Sequence, residues 1–317
     1  MSHDSSSKAR LHAVTAAEAG QRLDNYLLRQ IPGVPKTRLY RAIRKGEVRV
    51  NKGRAKPEYR VREADQIRIP PLSMEHTSAP ATPSRFWQSQ IQDAIVMNSA
   101  DLLVINKPSG LAVHGGSGIA LGLIESLRSM FPEERYLELV HRLDRDTSGL
   151  VLIAKNARTL RDLHAQLRED KVDKRYWALV EGRWPAYQRK VSAPLAKRHT
   201  PSGERIVRVD AEGKTALTEF RVLERFQGAT LIEAKPISGR THQIRVHCQH
   251  GGHTILGDSK YENDRSRTLG EALGLKRLFL HAKAISFQLE GQRVSLECPL
   301  SHDLQLPLNA LGSKGQR

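Results

Sequence analysis

Between Leu72 and Gln90 the chain is rich in Pro, Ser and Thr and shows no hydrophobic period, so this stretch offers no face to a core. It therefore divides the chain. With 317 residues the chain also exceeds the usual size of a single core. The expected organisation is a polar tail over 1–20, a small basic domain over 21–70, a linker over 71–90 and a larger domain over 91–317.

The segment ahead of the linker is unusual in its charge. From Arg22 to Arg68 there are 14 Lys and Arg against 5 Asp and Glu, an excess of nine within a formal net charge of +17 for the whole chain. Leu23 and Leu27 stand at helical spacing. Pro35 opens a second segment with Leu39 and Ile43 on one face, and Gly46 ends it. The rest of that second surface carries Lys36, Arg38, Arg41, Arg44 and Lys45. Val48 and Val50 then alternate with charged residues, Asn51-Lys52-Gly53 signals a turn, and Ile67 and Ile69 alternate again. Two short helices and a strand pair follow, with a one-sided cationic face suited to phosphates. An isolated charge run is more often a solvated face; the density here favours binding.

So large an excess of positive charge implies a polyanionic partner, and charge alone leaves RNA, DNA and anionic membrane open. No apolar run reaches membrane-spanning length, and MSHDSSSKAR lacks the apolar centre of a secretory signal, so a cytoplasmic protein without a membrane partner is expected. Cys248 and Cys298 show neither a CxxC nor a paired-His pattern, which argues against zinc and a disulfide framework and leaves them as packing residues.

Beyond Ile91, short β-branched runs recur at Leu102–Ile105, Leu150–Ile153, Thr218–Val222, Thr230–Ile232 and Ala284–Leu289. Each predicts a strand. Leu160, Leu163 and Leu167 predict a helix between Ala157 and Glu169, and Ile244, His247 and Cys248 mark another helix face. The fold class is α+β: a mixed or antiparallel sheet preceded by a small α/β module. Pro108 and the glycines from Gly110 to Gly118 predict an irregular loop.

In the larger domain, His141-Arg142-Leu143-Asp144-Arg145-Asp146-Thr147-Ser148-Gly149 places charged and hydroxyl groups between two apolar segments. Taken alone it reads as a polar turn. Three other motifs change that reading: Asn106-Lys107-Pro108-Ser109-Gly110, Lys174-Arg175-Tyr176-Trp177-Ala178, and Gly239-Arg240-Thr241-His242-Gln243-Ile244-Arg245-Val246-His247. Together, in this order, the four resemble the motifs of the pseudouridine synthases of the RluA family, and the resemblance covers nearly the whole chain. The basic segment likewise resembles a small RNA-binding fold found in a ribosomal protein and in RNA-modifying enzymes.

The resemblance implies an isomerase that turns uridine into pseudouridine without metal or cofactor. It implies Asp144 as the one indispensable residue, attacking either sugar C1′ or the uracil ring. Tyr176 is implied to stack on the uracil and to act as a base on the isomerised ring, and Arg245 to pair with Asp144. Arg142 is implied to enter the space that a flipped base vacates, although a phosphate contact or salt bridge fits it equally. Lys107, Arg240 and His242 join Arg142 and the basic helix as expected RNA contacts. The Val113–Gly118 wording points to large-subunit ribosomal RNA as partner, and a monomer is expected. Asp146, two residues beyond Asp144, would suit a glycosidase pair or a metal site only weakly. GxxxxGK[ST] and HExxH do not occur. His114, His141 and His164 read as structural. Two rival readings stand beside this one: a sibling synthase acting on other ribosomal or transfer RNA uridines, and a non-catalytic ribosome-assembly protein, against which intact Asp144, Tyr176 and Arg245 argue.

Overall fold

The computed structural model describes residues 9–16, 18–31, 34, 36–71, 82–115, 121–199 and 205–314. Residues 72–81 of the linker segment, Gly116–Gly118 of the glycine-rich loop and the side chain of Lys36 lie outside them. The chain forms two compact units, Met1–Pro80 and Ala81–Arg317.

The first unit runs β1 (Arg10–Ala13), α1 (Leu23–Gln30), α2 (Lys36–Lys45), β2 (Arg49–Val50) and β3 (Gln66–Ile69). Leu23, Tyr26 and Leu27 of α1 pack with Leu39, Ala42 and Ile43 of α2, and with Val48, Val50, Ile67 and Ile69 below them, as one core. Gly46 ends α2 in the left-handed region (φ 72°), where the lack of a Cβ costs nothing. The strand pair of β2 and β3 forms as the alternation requires, with Val50 opposite Ile67. The sheet has a third member that the polar-tail reading of 1–20 excludes: β1 pairs antiparallel with β3, Arg10 opposite Ile69. Its sequence gives no apolar alternation because it is joined chiefly through its backbone, and Leu11 is 73% exposed.

The second unit runs α3 (Arg85–Asp93), β4 (Ile95–Asn98), β5 (Leu102–Lys107), α4 (Leu123–Met130), β6 (Glu138–Leu139), β7 (Ser148–Ala154), α5 (Ala157–Arg168) and β8 (Asp173–Glu181). It continues through β9 (Lys190–Ser192), β10 (Leu195–His199), β11 (Arg205–Val209), β12 (Leu217–Phe226), β13 (Ala229–Pro236), α6 (Gln243–His250), α7 (Asp264–Ala272), β14 (Leu280–Leu289), β15 (Gln292–Glu297) and α8 (His302–Lys314). Helix α3 begins inside the expected linker, where Ser84 Oγ accepts the Trp87 N–H and Ile91 is fully buried. The sheet order is β4-β5-β7-β14-β8-β13-β12-β9, with β15 beside β14 and β6 beside β7. Among the described strands only β7 with β14 is parallel, so the sheet is mixed.

Strands β5 and β7 read as continuous apolar runs because both faces are covered. Leu103, Ile105, Val151 and Ile153 belong to the core that holds α3, α4, α6 and α8, whereas Leu102, Val104, Leu150 and Leu152 pack with Leu163 of α5 on the other side. Cys248 and Cys298 are buried free thiols, one in each of these cores. Fixed from both faces, β7 is a rigid base for the loop that precedes it.

Candidate active site

The loop from His141 to Thr147 is tied down from below and at both ends. Lys107, at the end of β5, is 0% exposed and directs its Nζ at the carbonyl oxygens of Pro108 (2.9 Å), Leu111 (2.8 Å) and Arg145 (3.0 Å). Burial pushes its pKa down to about 7, while one carbonyl for each N–H of the ammonium holds the charged form. Ser109 Oγ donates to the Asp146 carbonyl oxygen, and the Gly110 N–H to that of Arg145. At the loop's start His141 Nε2 accepts the Leu152 N–H, and burial lowers its pKa to about 3, so it is a neutral structural ring. Expected as an RNA contact, Lys107 cannot reach solvent. The Asn106–Gly110 motif is instead the clamp beneath the Asp144 loop.

Strand order brings Tyr176 beside that loop. β14 lies between β7 and β8, with His281 opposite both Ser148 and Trp177, and Ala282 opposite both Gly149 and Tyr176. A Cβ on Gly149 (φ 111°) would stand 2.4 Å from the Ala282 carbonyl oxygen, so only glycine lets β7 and β14 approach this closely. Ser148 Oγ and His281 Nδ1 share a hydrogen bond of 2.9 Å within the same junction. Tyr176 is 9% exposed, and burial, aided by the charge of Asp144, raises its pKa. In this state it is a protonated phenol.

The third wall is the start of α6. His242 adopts the left-handed conformation (φ 53°) at the N-cap and turns the chain into the helix. Arg245 was expected to pair with Asp144; its guanidinium is instead forked on Asp258, at 2.8 and 2.6 Å, with Arg245 4% and Asp258 1% exposed. Asp258 also accepts the N–H groups of Lys260 and Tyr261. The fork is satisfied by a carboxylate from the turn after α6, which leaves the Asp144 carboxylate open. Among the described residues, the basic side chain within 4 Å of Asp144 is the His242 imidazole, with Nε2 at 3.9 Å from Oδ2.

These three elements enclose a cleft of about 720 Å³ lined by Asp144, Tyr176, His242 and Arg245, together with the cations Arg142, Arg168, Lys174 and Arg240. Arg142 and Arg240 are exposed, the latter donating to the Thr215 carbonyl oxygen. Arg41, Arg44 and Lys45 are exposed on α2, while Arg38 is engaged with Glu47 at 3.1 Å. An accessible carboxylate beside an aromatic ring and a fringe of cations suits nucleophilic attack on a base or sugar whose backbone is gripped nearby. No cluster of three His, Cys, Asp or Glu able to hold a metal occurs among the described residues, and no helix among them is long and apolar enough to cross a membrane. Asp258 and Tyr261 are the residues of this site that sequence reasoning missed. Gly257-Asp258-Ser259 carries only a turn signal, from which a buried acid cannot be told apart from a solvated one.

Comparison with known proteins agrees with this geometry. Residues 101–250 match the RNA pseudouridylate synthase family, and residues 21–67 match the S4 domain. The chain is 51% identical over 304 residues to ribosomal large subunit pseudouridine synthase C of Escherichia coli (strain K12), covering 94% of this chain and 95% of that protein. To the protein of the same name from Pasteurella multocida (strain Pm70) it is 50% identical over 301 residues, 94% and 92% of the two chains. Human RNA pseudouridylate synthase domain containing 4 superposes with a TM-score of 0.59 at 27% identity, over 72% of this chain and 96% of that one. With three of the four motifs lining one cleft, the fourth clamped beneath it, and half of all positions shared with such relatives over nearly their full length, the chain belongs to the family of RNA pseudouridylate synthases.

Proposed function

We propose that this enzyme isomerises uridines of large-subunit ribosomal RNA to pseudouridine, with Asp144 as nucleophile, Tyr176 as stacking partner and Arg142 as the side chain that fills the flipped base's place. The carrying observation is that Asp144 and Tyr176, from motifs 32 positions apart, share one cleft with cations around its rim. In the isomerisation the N1–C1′ bond breaks and a C5–C1′ bond forms, while C5 gives up its proton and N1 gains one. Nothing is oxidised. A base inside folded RNA must first leave its stack, and Arg142, flat and exposed, is suited to the vacancy. Arg240 and Lys174 line the path of the backbone and the base.

Tyr176 gains a second role from electrostatics. The negative charge of Asp144 adds to burial in keeping the phenol protonated. Once Asp144 is covalently bonded its charge is gone, the phenol becomes a stronger acid, and its conjugate base is more available for the C5 proton. Tyr176→Phe keeps the ring and is expected to leave RNA affinity within about twofold while slowing single-turnover isomerisation about a hundredfold. A wild-type rate in that variant would remove the hydroxyl from the mechanism.

The S4-like module supplies phosphate contacts through Arg41, Arg44 and Lys45, with Lys36 and Arg38 on the same helix. Deleting residues 1–80 is expected to weaken substrate binding and to lower the slope of log affinity against log salt by about 2 to 4, as for the loss of a few phosphate contacts. An unchanged slope would show that the module does not grip the backbone. With ribosomal RNA as substrate, the enzyme is assigned to the cytoplasm and proposed to act as a monomer. Mapping pseudouridines in ribosomal RNA from cells with and without this chain tests the substrate, and loss of no site would refute it.

A further inference from the structure

Tyr261 is 2% exposed, and among the described residues its hydroxyl has two partners: the Val207 N–H at 3.0 Å and His242 Nδ1 at 2.7 Å. A backbone N–H is only a donor, so the hydroxyl accepts it, and its own buried proton has Nδ1 as its one acceptor among the described residues. His242 Nδ1 is then an acceptor. In a neutral imidazole that arrangement puts the ring proton on Nε2, the atom 3.9 Å from Asp144 Oδ2. The imidazole is gripped twice more, by the left-handed backbone at its own position (φ 53°), a region uncommon outside glycine, and by edge-on packing against the Tyr261 ring at 5.5 Å. Tyr261 is itself held under the Arg245 guanidinium, 4.9 Å from the ring centre, and in a small core with Val207 and Val246.

We propose that Tyr261 fixes His242 as the Nε2–H tautomer, and that this N–H orients the Asp144 carboxylate for attack when uracil fills the cleft. His242 is thus a positioning residue acting through Asp144, and Tyr261 a positioning residue acting through His242. The present 3.9 Å is long for a hydrogen bond; with the imidazole gripped, it is rotation of the Asp144 side chain on substrate binding that would close it, as contacts of unliganded sites tighten. A neutral ring agrees with the surroundings: burial lowers the pKa of His242 below its ordinary 6.5, Arg245 and Lys260 act in the same direction, and Asp144 and Asp258 oppose them. A neutral donor orients the carboxylate without the strong pairing that would blunt its nucleophilicity.

This inference rests on Asp144 being the nucleophile, and its test has one arm that needs no activity. In full-length protein with 15N-labelled histidine, the His242 signals, assigned by their loss in His242→Gln, should show the Nε2–H tautomer at pH 7.5, and Tyr261→Phe should shift them toward a mixture. A Nδ1–H tautomer or a doubly protonated ring in the wild type overturns the proposal, whatever the reaction proves to be. The second arm is single-turnover pseudouridine formation on saturating RNA. His242→Ala should be slower by about a hundredfold with RNA affinity within twofold, and His242→Gln, whose amide N–H can take the place of Nε2–H, should recover to within about fivefold of wild type. Tyr261→Phe should slow the wild type yet add nothing in the His242→Gln background, since it acts only through the imidazole. Equal loss in Ala and Gln variants, a fall in affinity that matches the fall in rate, or additive effects of Tyr261→Phe would each overturn it. Each variant's melting temperature accompanies the rates. If Asp144→Asn retains activity, the assignment of the nucleophile fails, and the tautomer result stands apart from that failure.

Discussion

Asp144→Asn is expected to reduce pseudouridine formation at least a thousandfold, about 4 kcal/mol of barrier, while RNA binds as tightly as before or slightly more so. An amide has no anionic oxygen with which to attack, and a lost negative charge in a cation-rimmed cleft no longer repels phosphates. The fold should tolerate the change. Had Asp144 been the buried partner of Arg245, its neutralisation would have left a guanidinium uncompensated; with that guanidinium forked on Asp258 and the Asp144 side chain 21% exposed, the stability loss is expected to stay below about 1 kcal/mol. Chemical labelling specific for pseudouridine, followed by primer extension, reads the activity, with melting and affinity measured on the same preparation. A folded variant that works at near wild-type rate would show that another group attacks.

Removing Arg245 is the expected opposite case, in which stability falls along with activity. Arg245→Met leaves Asp258, 1% exposed, as an unpaired buried charge, at a cost of about 3 to 5 kcal/mol. For a domain of this size that is a melting temperature lower by roughly 6 to 20 °C. Replacing both partners, as Arg245→Met with Asp258→Leu, should restore much of the loss, because the charge that must be desolvated goes with its partner. A single variant melting within about 2 °C of wild type would mean that Asp258 finds water or a proton instead, and would remove the pair from the account of how α6 is held.

Much of the site was legible in the sequence because its groups lie in short contiguous motifs whose order resembles that of known enzymes. The strands Leu102–Ile105 and Leu150–Ile153 were legible for a different reason: burial on both faces requires apolar residues at every position, which leaves a plain trace. β8, which carries Tyr176, left no such trace, because Asp173, Lys174 and Arg175 open it and only its second half is continuously buried. β1 left none either, since backbone pairing asks little of side chains.

What the sequence by itself determined was the basic module ahead of an α+β domain and the strands whose side chains must be apolar; through the resemblance of their motifs it also set Asp144, Tyr176 and Arg245 together as an expectation, and the three line one cleft. Partnership was decided by tertiary structure alone. That Lys107 faces three carbonyl oxygens rather than RNA, that Arg245 belongs to Asp258 rather than Asp144, and that Tyr261 orients His242 all depend on contacts between segments far apart or around a turn. A charged side chain has the same letter whether it grips solvent-exposed phosphate or a buried carbonyl. Its role follows from the dielectric and the hydrogen-bond acceptors that the packed chain puts around it, and these exist only once the strands have paired.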